Sequence, residues 1–354
     1  MENGIRSTGT AAGRTLHSGD AEYLFFGGTN YLGMHVDKTF RSFMQEGLEK
    51  YGSAYGSSRA SNMQLAVYGE AEEQLAGWLG TEACTLMSSG FLAGQLVART
   101  FEAAGWRLHH APGSHPALAA GLAGAPEGTW EEWSEGLLRE IAPAPGKHLI
   151  LADSIDPLRS RKYDFSFLEK LPSRKKLTLA VDDSHGLGVL GKKGEGAVET
   201  LPRRKNIELL ILGSLGKGLG IPAGAVWARA ALTKVLRQSP LFTGASPPAP
   251  ACLYAFLKAG RLYRDARERL GENIARFEVL IAGCRAVKHT PGLPVFFLED
   301  ESAAARLMEQ GIFLSSFAYP LAGSKPVSRI VLSSLHTAED LERLAGALKD
   351  YFAD

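Results

Sequence analysis

The sequence predicts an α/β protein with a large, mostly parallel, doubly wound sheet domain and a smaller C-terminal α/β or α+β domain. Short apolar runs of strand length recur along the first two thirds of the chain, with helix-length segments between them. Such alternation produces parallel strands covered by helices on both faces. Pro247-Pro248 and the long helical pattern from Ala249 to Ile281 then mark a change of domain. The division expected is a short N-terminal segment at 1–29, a large domain at 30–246 and a small domain at 247–354.

Taken in order, residues 1–20 are rich in Gly, Thr, Ser and Ala and read as extended or loosely ordered. From Gln64 to Leu79, Leu65, Val67, Ala71, Leu75 and Trp78 recur at near-helical spacing, and Gly80 can close that helix. Ala83 to Met87 reads as a strand, and Ser88-Ser89-Gly90 leads into an apolar helix from Phe91 to Phe101. Further strands are expected at His148 to Ala152, Leu177 to Asp182, Ile207 to Leu212 and Gly224 to Trp227. Beyond the domain change, Pro294–Leu298, Ala303–Glu309, Ile312–Ser316, Arg329–Ser333 and Thr337–Tyr351 alternate strand and helix.

Bulk composition excludes several function classes. With 39 basic and 38 acidic residues the net charge is +1, which leaves no electrostatic footprint for nucleic acid or an anionic membrane. The three cysteines, Cys84, Cys252 and Cys284, are widely spaced and form no Cys-x-x-Cys pair. That usage fits a reducing cytoplasm and no metal site. No run approaches the roughly 18 apolar residues of a membrane span, and the opening residues lack a signal-peptide core. A soluble, cytoplasmic protein is expected.

The chemistry concentrates in two places. Gly213-Ser214-Leu215-Gly216-Lys217-Gly218-Leu219-Gly220 sets one lysine among glycines directly after an apolar strand. Glycine is tolerated there where backbone passes close to a ligand or takes positive φ. One strand earlier, Leu177 to Asp182 ends in Asp182-Asp183-Ser184-His185. A lysine amine, a carboxylate to face a ring nitrogen and a phosphate anchor are the requirements of pyridoxal phosphate. Lys217 supplies the amine, Asp182 the carboxylate, and His185 reaches the ring hydroxyl or a substrate carboxylate. Ser89, Gly90 and Phe91 sit where a strand gives way to a helix N-terminus, a natural phosphate site; the same residues also suit an ordinary helix cap. Ser214 is a second phosphate donor. His115, in Gly113-Ser114-His115-Pro116, can stack on the ring or serve as a plain loop residue. Arg329, expected to open its strand, suits bidentate carboxylate binding or a surface ion pair.

Asn30-Tyr31-Leu32-Gly33, Tyr51-Gly52-Ser53, Gly56-Ser57-Ser58-Arg59, Ser89-Gly90-Phe91, Asp182-Asp183-Ser184-His185-Gly186, the Lys217 loop and Arg329 through His336 follow one another in a recognisable order. In that order they resemble the α-oxoamine synthases, a family of fold-type I pyridoxal phosphate enzymes. The pattern is closest to the 8-amino-7-oxononanoate synthase and 2-amino-3-ketobutyrate CoA ligase branches, and the resemblance runs from about residue 14 onward. It implies that Lys217 carries the cofactor, Asp182 pairs with the pyridine nitrogen, His185 contacts the ring hydroxyl and His115 stacks over the ring. It also implies that Ser89, Gly90, Phe91 and Ser214 hold the phosphate, and that Asn30 and Arg329 bind the amino-acid carboxylate. A homodimer is implied, with Phe242 to Pro248 reaching the neighbour's cofactor.

The pattern departs from the family at Thr129-Trp-Glu-Glu-Trp133, where a His-Asn-Asp motif is usual, at Ser154-Ile-Asp-Pro157, and at Gly244, where a hydroxyl is usual. These positions bear on the acyl donor. The activity expected is a decarboxylating condensation of glycine or alanine with an acyl thioester, on CoA or a carrier protein, as in biotin biosynthesis. The alternative is an aminotransferase or aldol-type lyase acting on a small amino acid.

Overall fold

The computed structural model describes residues 8–119, 127–318 and 324–353. The Ala- and Gly-rich stretch at 111–126 lies partly outside the described residues. The described chain forms two compact units, one within Thr39–Asp156 and Lys162–Gly260, the other within Met1–Lys38, Pro157–Arg161 and Arg261–Asp354.

The larger unit is built on a six-stranded sheet in the spatial order Ala83–Met87, Gly224–Ala228, Ile207–Ser214, Leu177–Asp182, His148–Asp153, Arg107–His110. The last four of these run parallel, and Gly224–Ala228 is antiparallel to both of its neighbours. Every residue of Leu177–Asp182 is buried, as a strand covered on both faces requires. The helix Gly90–Ala103 lays Ala93, Leu96, Val97 and Phe101 into the same core as Leu149, Leu151, Ala180, Leu210, Leu212 and Val226. Burying each such leucine stabilises the fold by about 1.5–3 kcal/mol. Trp227, fully buried, donates its indole N–H to the Leu75 carbonyl at 3.0 Å and so ties the sheet to the helix Ala66–Leu79.

The smaller unit holds a second six-stranded sheet in the order Thr15–Ser18, Ala21–Phe26, Ile312–Ala318, Pro326–Val331, Val295–Leu298, Val287–Lys288. Its pairs are antiparallel except Ala21–Phe26 with Ile312–Ala318.

Several expectations are corrected. The segment read as loose up to residue 20 forms a strand at Thr15–Ser18, which turns through Gly19 at φ +60° into Ala21–Phe26. Arg329 does not open its strand but lies inside Pro326–Val331, paired across to Phe297 and Ser315. That strand stops at Val331, because beyond it the Ser333 amide donates to His336 Nδ1 and the Ser334 amide to the Tyr31 carbonyl. The long helical pattern from Ala249 divides into Pro250–Lys258 and Gly260–Leu280, with the break at Ala259. The strand Arg107–His110 and the helices Lys38–Tyr51 and Trp130–Ile141 were not foreseen. Arg-Leu-His-His is too polar to announce a strand. Thr129 to Trp133, met in sequence as a departure from a family motif, is a helix start, with Thr129 and Glu132 forming a reciprocal capping box.

Candidate active site

The carboxyl ends of three neighbouring parallel strands gather the site. Register places Asp153 directly beside Asp182, and Asp182 beside Leu212. Asp182 is buried at the end of its strand, and its Oδ1 accepts the Ser184 amide at 2.9 Å. That bond turns the chain sharply and brings His185 round. The Lys217 Nζ then lies 2.8 Å from His185 Nε2.

The glycines around Lys217 have a steric reason. A side chain at Gly218 would run into the Leu187 carbonyl, and one at Gly213 would meet the Leu187 side chain at 2.8 Å. The lysine loop therefore rides directly on the turn that carries His185, at a distance only glycine permits.

On the other side of the strand end, Ser89 adopts an extended conformation and its hydroxyl accepts the Leu92 amide at 3.1 Å, capping the helix Gly90–Ala103. The cap reading of Ser89 thus holds in this structure. The same helix start is pressed against the lysine strand, since a Cβ at Gly90 would fall 2.6 Å from Ser214 Cβ. Ser214 accepts the Gly216 amide at 3.2 Å and donates its own amide to Ser184 Oγ at 2.8 Å. Ser89, Gly90, Phe91 and Ser214 are thereby brought to one helix N-terminus, whose dipole favours an anion.

His115 is fixed through its backbone, whose amide donates to Asp153 Oδ2 at 2.9 Å. Its Nδ1 accepts the Ala117 amide at 3.1 Å, which puts the proton of a neutral ring on Nε2. Although His115 reaches the surface, the atoms crowded round its ring lower its pKa; Asp182 opposes this and Lys217 adds to it. His115, Asp182, Lys217 and His185 thus share one electrostatic neighbourhood.

Sequence reasoning passed over the two other carboxyls. Burial, reinforced by Asp182, pushes Asp153 well above the ordinary carboxylate range. Burial likewise pushes Asp183 up to about 7, against the hydrogen bonds of Ser154 and Ala197. Environments that push neighbouring carboxyls toward the protonated form are a recurrent way of allotting charge in an active site. The Asp-Asp doublet was the available signal for Asp183. Asp153 needed the strand register.

Asn30 and Arg329 belong to the smaller unit. Arg329 is buried, donates to the Pro157 carbonyl at 3.2 Å and sets its guanidinium 5.6 Å from the centre of the Phe317 ring. Beside Asn30, the Tyr31 hydroxyl is fully buried and its pKa is raised by that burial, with Arg329 opposing. The Asn30 carbonyl accepts the Gly33 amide at 3.0 Å, and Gly33 sits at φ +65° with no room for a side chain against Leu335. Half-buried Asn30 is therefore held in a glycine-dependent turn.

The family model for aminotransferase class I and II matches residues 22–348. The chain belongs to the aminotransferase class I and II family. Within that family, the 8-amino-7-oxononanoate synthase of Erwinia tasmaniensis is 30% identical, over 96% of this chain and 92% of its own length. That of Serratia marcescens is also 30% identical, over 96% and 91%. Among solved structures, a serine palmitoyltransferase from S. paucimobilis is similar with a TM-score of 0.82 at 17% identity, covering 98% of this chain and 92% of that one. An 8-amino-7-oxononanoate synthase from Francisella tularensis gives 0.72 at 21%, over 94% and 98%. The fold is that of the fold-type I transferases. The protein is a pyridoxal phosphate-dependent enzyme of the α-oxoamine synthase group, and the resemblance read from its motifs is correct. Among the described residues, no helix is long and apolar enough to cross a membrane.

Proposed function

We propose that this enzyme condenses a small amino acid, glycine or alanine, with an acyl thioester, and that Lys217, Asp182 and His185 form its cofactor site. The Lys217–His185 contact at 2.8 Å, beside the buried Asp182, carries this reading. The residues present fit the cofactor. A buried carboxylate ends a strand, an amine lies 2.8 Å from the histidine of the turn that follows it, and a capped helix start offers amides to a phosphate. Bound there, pyridoxal phosphate supplies an electron sink for charge developing at the substrate Cα.

The chain's own groups do the rest. With the cofactor bound, Asp182 would hold a proton on the pyridine nitrogen, and the amides at Gly90 and Phe91, with the Ser214 hydroxyl, would take the phosphate. As an ammonium, Lys217 donates to His185 Nε2; as an amine, Lys217 is a base positioned to take the α-proton. His115, neutral and carrying its proton on Nε2, offers a flat ring face for stacking and an N–H donor at the ring edge. Arg329, with Asn30, binds the substrate carboxylate. In the net reaction a C–C bond forms at Cα, the bond from Cα to the carboxylate breaks to release CO2, and the thiol leaves. The homodimer implied by the resemblance, with Phe242 to Pro248 facing the neighbour's site, is part of the same proposal.

The decisive experiment measures thiol release and CO2 formation with each amino acid and acyl thioester, singly and together. Release of both products only when both substrates are present supports the condensation. A 2-oxo acid or an aldehyde formed from the amino acid alone would replace it with transamination or aldol-type cleavage.

A further inference from the structure

Asp183 has no part in the chemistry above, yet it is 1% exposed and more elaborately held than Asp182. Its Oδ1 accepts the Ser154 hydroxyl at 2.5 Å and its Oδ2 the Ala197 amide at 2.7 Å. The space for that carboxyl exists because two neighbours lack side chains. A Cβ at Gly186 or at Gly196 would collide with the Asp183 carboxylate, and Gly196 sits at φ +80°.

Ser154 makes a second attachment to the same turn, since its amide donates to the Asp182 carbonyl at 2.9 Å. The Asp183 amide continues the ladder to the Leu212 carbonyl at 2.8 Å, and its carbonyl accepts the amides of Gly186 and Leu187, both at 2.9 Å. Four segments thus converge on Asp183: the strand ends at Ser154 and Leu212, the loop at Ala197, and the turn containing His185. Burying a carboxyl is costly, and a well-packed apolar group in its place is often as stable. What the carboxyl adds is direction, because two short bonds at fixed angles set where the turn begins.

We propose that Asp183 and Ser154 are a positioning pair for the cofactor site, fixing the turn so that Asp182 and His185 keep their places beside the Lys217 loop. The inference rests on the assignment of Lys217, Asp182 and His185 to the cofactor. Neither Asp183 nor Ser154 is assigned a chemical step.

The test uses Ser154→Ala and Asp183→Asn in the full-length chain, with three readouts. Pyridoxal phosphate affinity is followed by visible absorbance on adding it to cofactor-free protein. The nitrogen chemical shifts of the His185 ring are followed in cofactor-free protein, the signal being identified by its loss in His185→Gln. Thermal unfolding is recorded alongside. Losing one of the two bonds should weaken cofactor binding about tenfold and move the His185 nitrogen shifts, while the melting temperature stays within a few degrees of the parent. Unmoved His185 shifts with parental affinity in both variants would overturn the proposal. So would a loss of affinity that only tracks a fall in melting temperature. If the parent protein itself bound no pyridoxal phosphate, the cofactor assignment would fail, and the His185 shifts would still judge the positioning role.

Discussion

Asp183 gives the site a measurable pH signature. Its folded-state pKa is raised from 3.8 to about 7. Between those values the native state binds a proton that the unfolded chain has released, so stability falls as pH rises through this window and levels off above it. Asp183→Asn abolishes the effect. The stability of the variant relative to the parent should climb between pH 5 and 7, by up to about 1.4 kcal/mol per unit. Urea denaturation of cofactor-free protein checks this, and a flat difference would mean that the carboxyl is ionised throughout. Lys217→Ala should lose the visible absorbance of a lysine-bound cofactor and its response to borohydride. Arg329→Ala should raise the amino-acid KM by roughly tenfold to a hundredfold with much less effect on the thioester, as loss of a charge-assisted bidentate pair predicts. Arg329→Lys should recover only part of it, because a point charge cannot replace a planar fork. A KM that rose for the thioester instead would remove Arg329 from the carboxylate site.

At the scale of elements, two packings set how far the site tolerates change. The loop with Lys217 touches the turn at Leu187 through Gly218, so Gly218→Ala must push the two apart. Overpacking of this kind costs typically about 1–3 kcal/mol, and here the strain falls on the lysine loop. Cofactor affinity should drop at least tenfold with only a small fall in melting temperature; equal affinity would show that the loop yields freely.

The second packing lies at the sheet edge formed by Ala83–Met87, where Glu72 is buried and bonded to Arg59 at 3.0 Å, Arg237 at 2.9 Å and the Leu86 amide at 3.0 Å. Arg59 is equally buried and stacks over Tyr68 at 4.5 Å, while Ser58 donates to the Thr243 carbonyl at 2.5 Å. The Gly56-Ser57-Ser58-Arg59 motif therefore ties its loop to the sheet edge and to the segment before Pro247. Glu72→Ala leaves the buried Arg59 unpaired and should destabilise the protein by about 3–5 kcal/mol, read by denaturant unfolding. A loss below 1 kcal/mol would mean that solvent reaches these charges.

For the whole molecule, the expectation is a homodimer, and sedimentation at assay concentration checks it. An active monomer would remove the role proposed for Phe242 to Pro248. How much of this protein is legible without its structure varies from segment to segment. Ala83–Met87, Leu177–Asp182 and Ala303–Glu309 appear where their apolar patterns place them, because burial on one or two faces writes itself into local composition. The Lys217 loop and the Asp182–His185 turn stand out for a similar reason, since close approach of backbone demands glycine and a sharp turn favours an Asp. The sequence by itself determined the family, the cofactor class and these local shapes. Only the tertiary structure decided that Asp153 lies beside Asp182, that Ser154 and Ala197 close on Asp183, and that Arg329 sits within its strand. Register, pairing order and the charge state of a crowded carboxyl come from contacts between segments far apart in the chain, and local residue patterns carry no record of them.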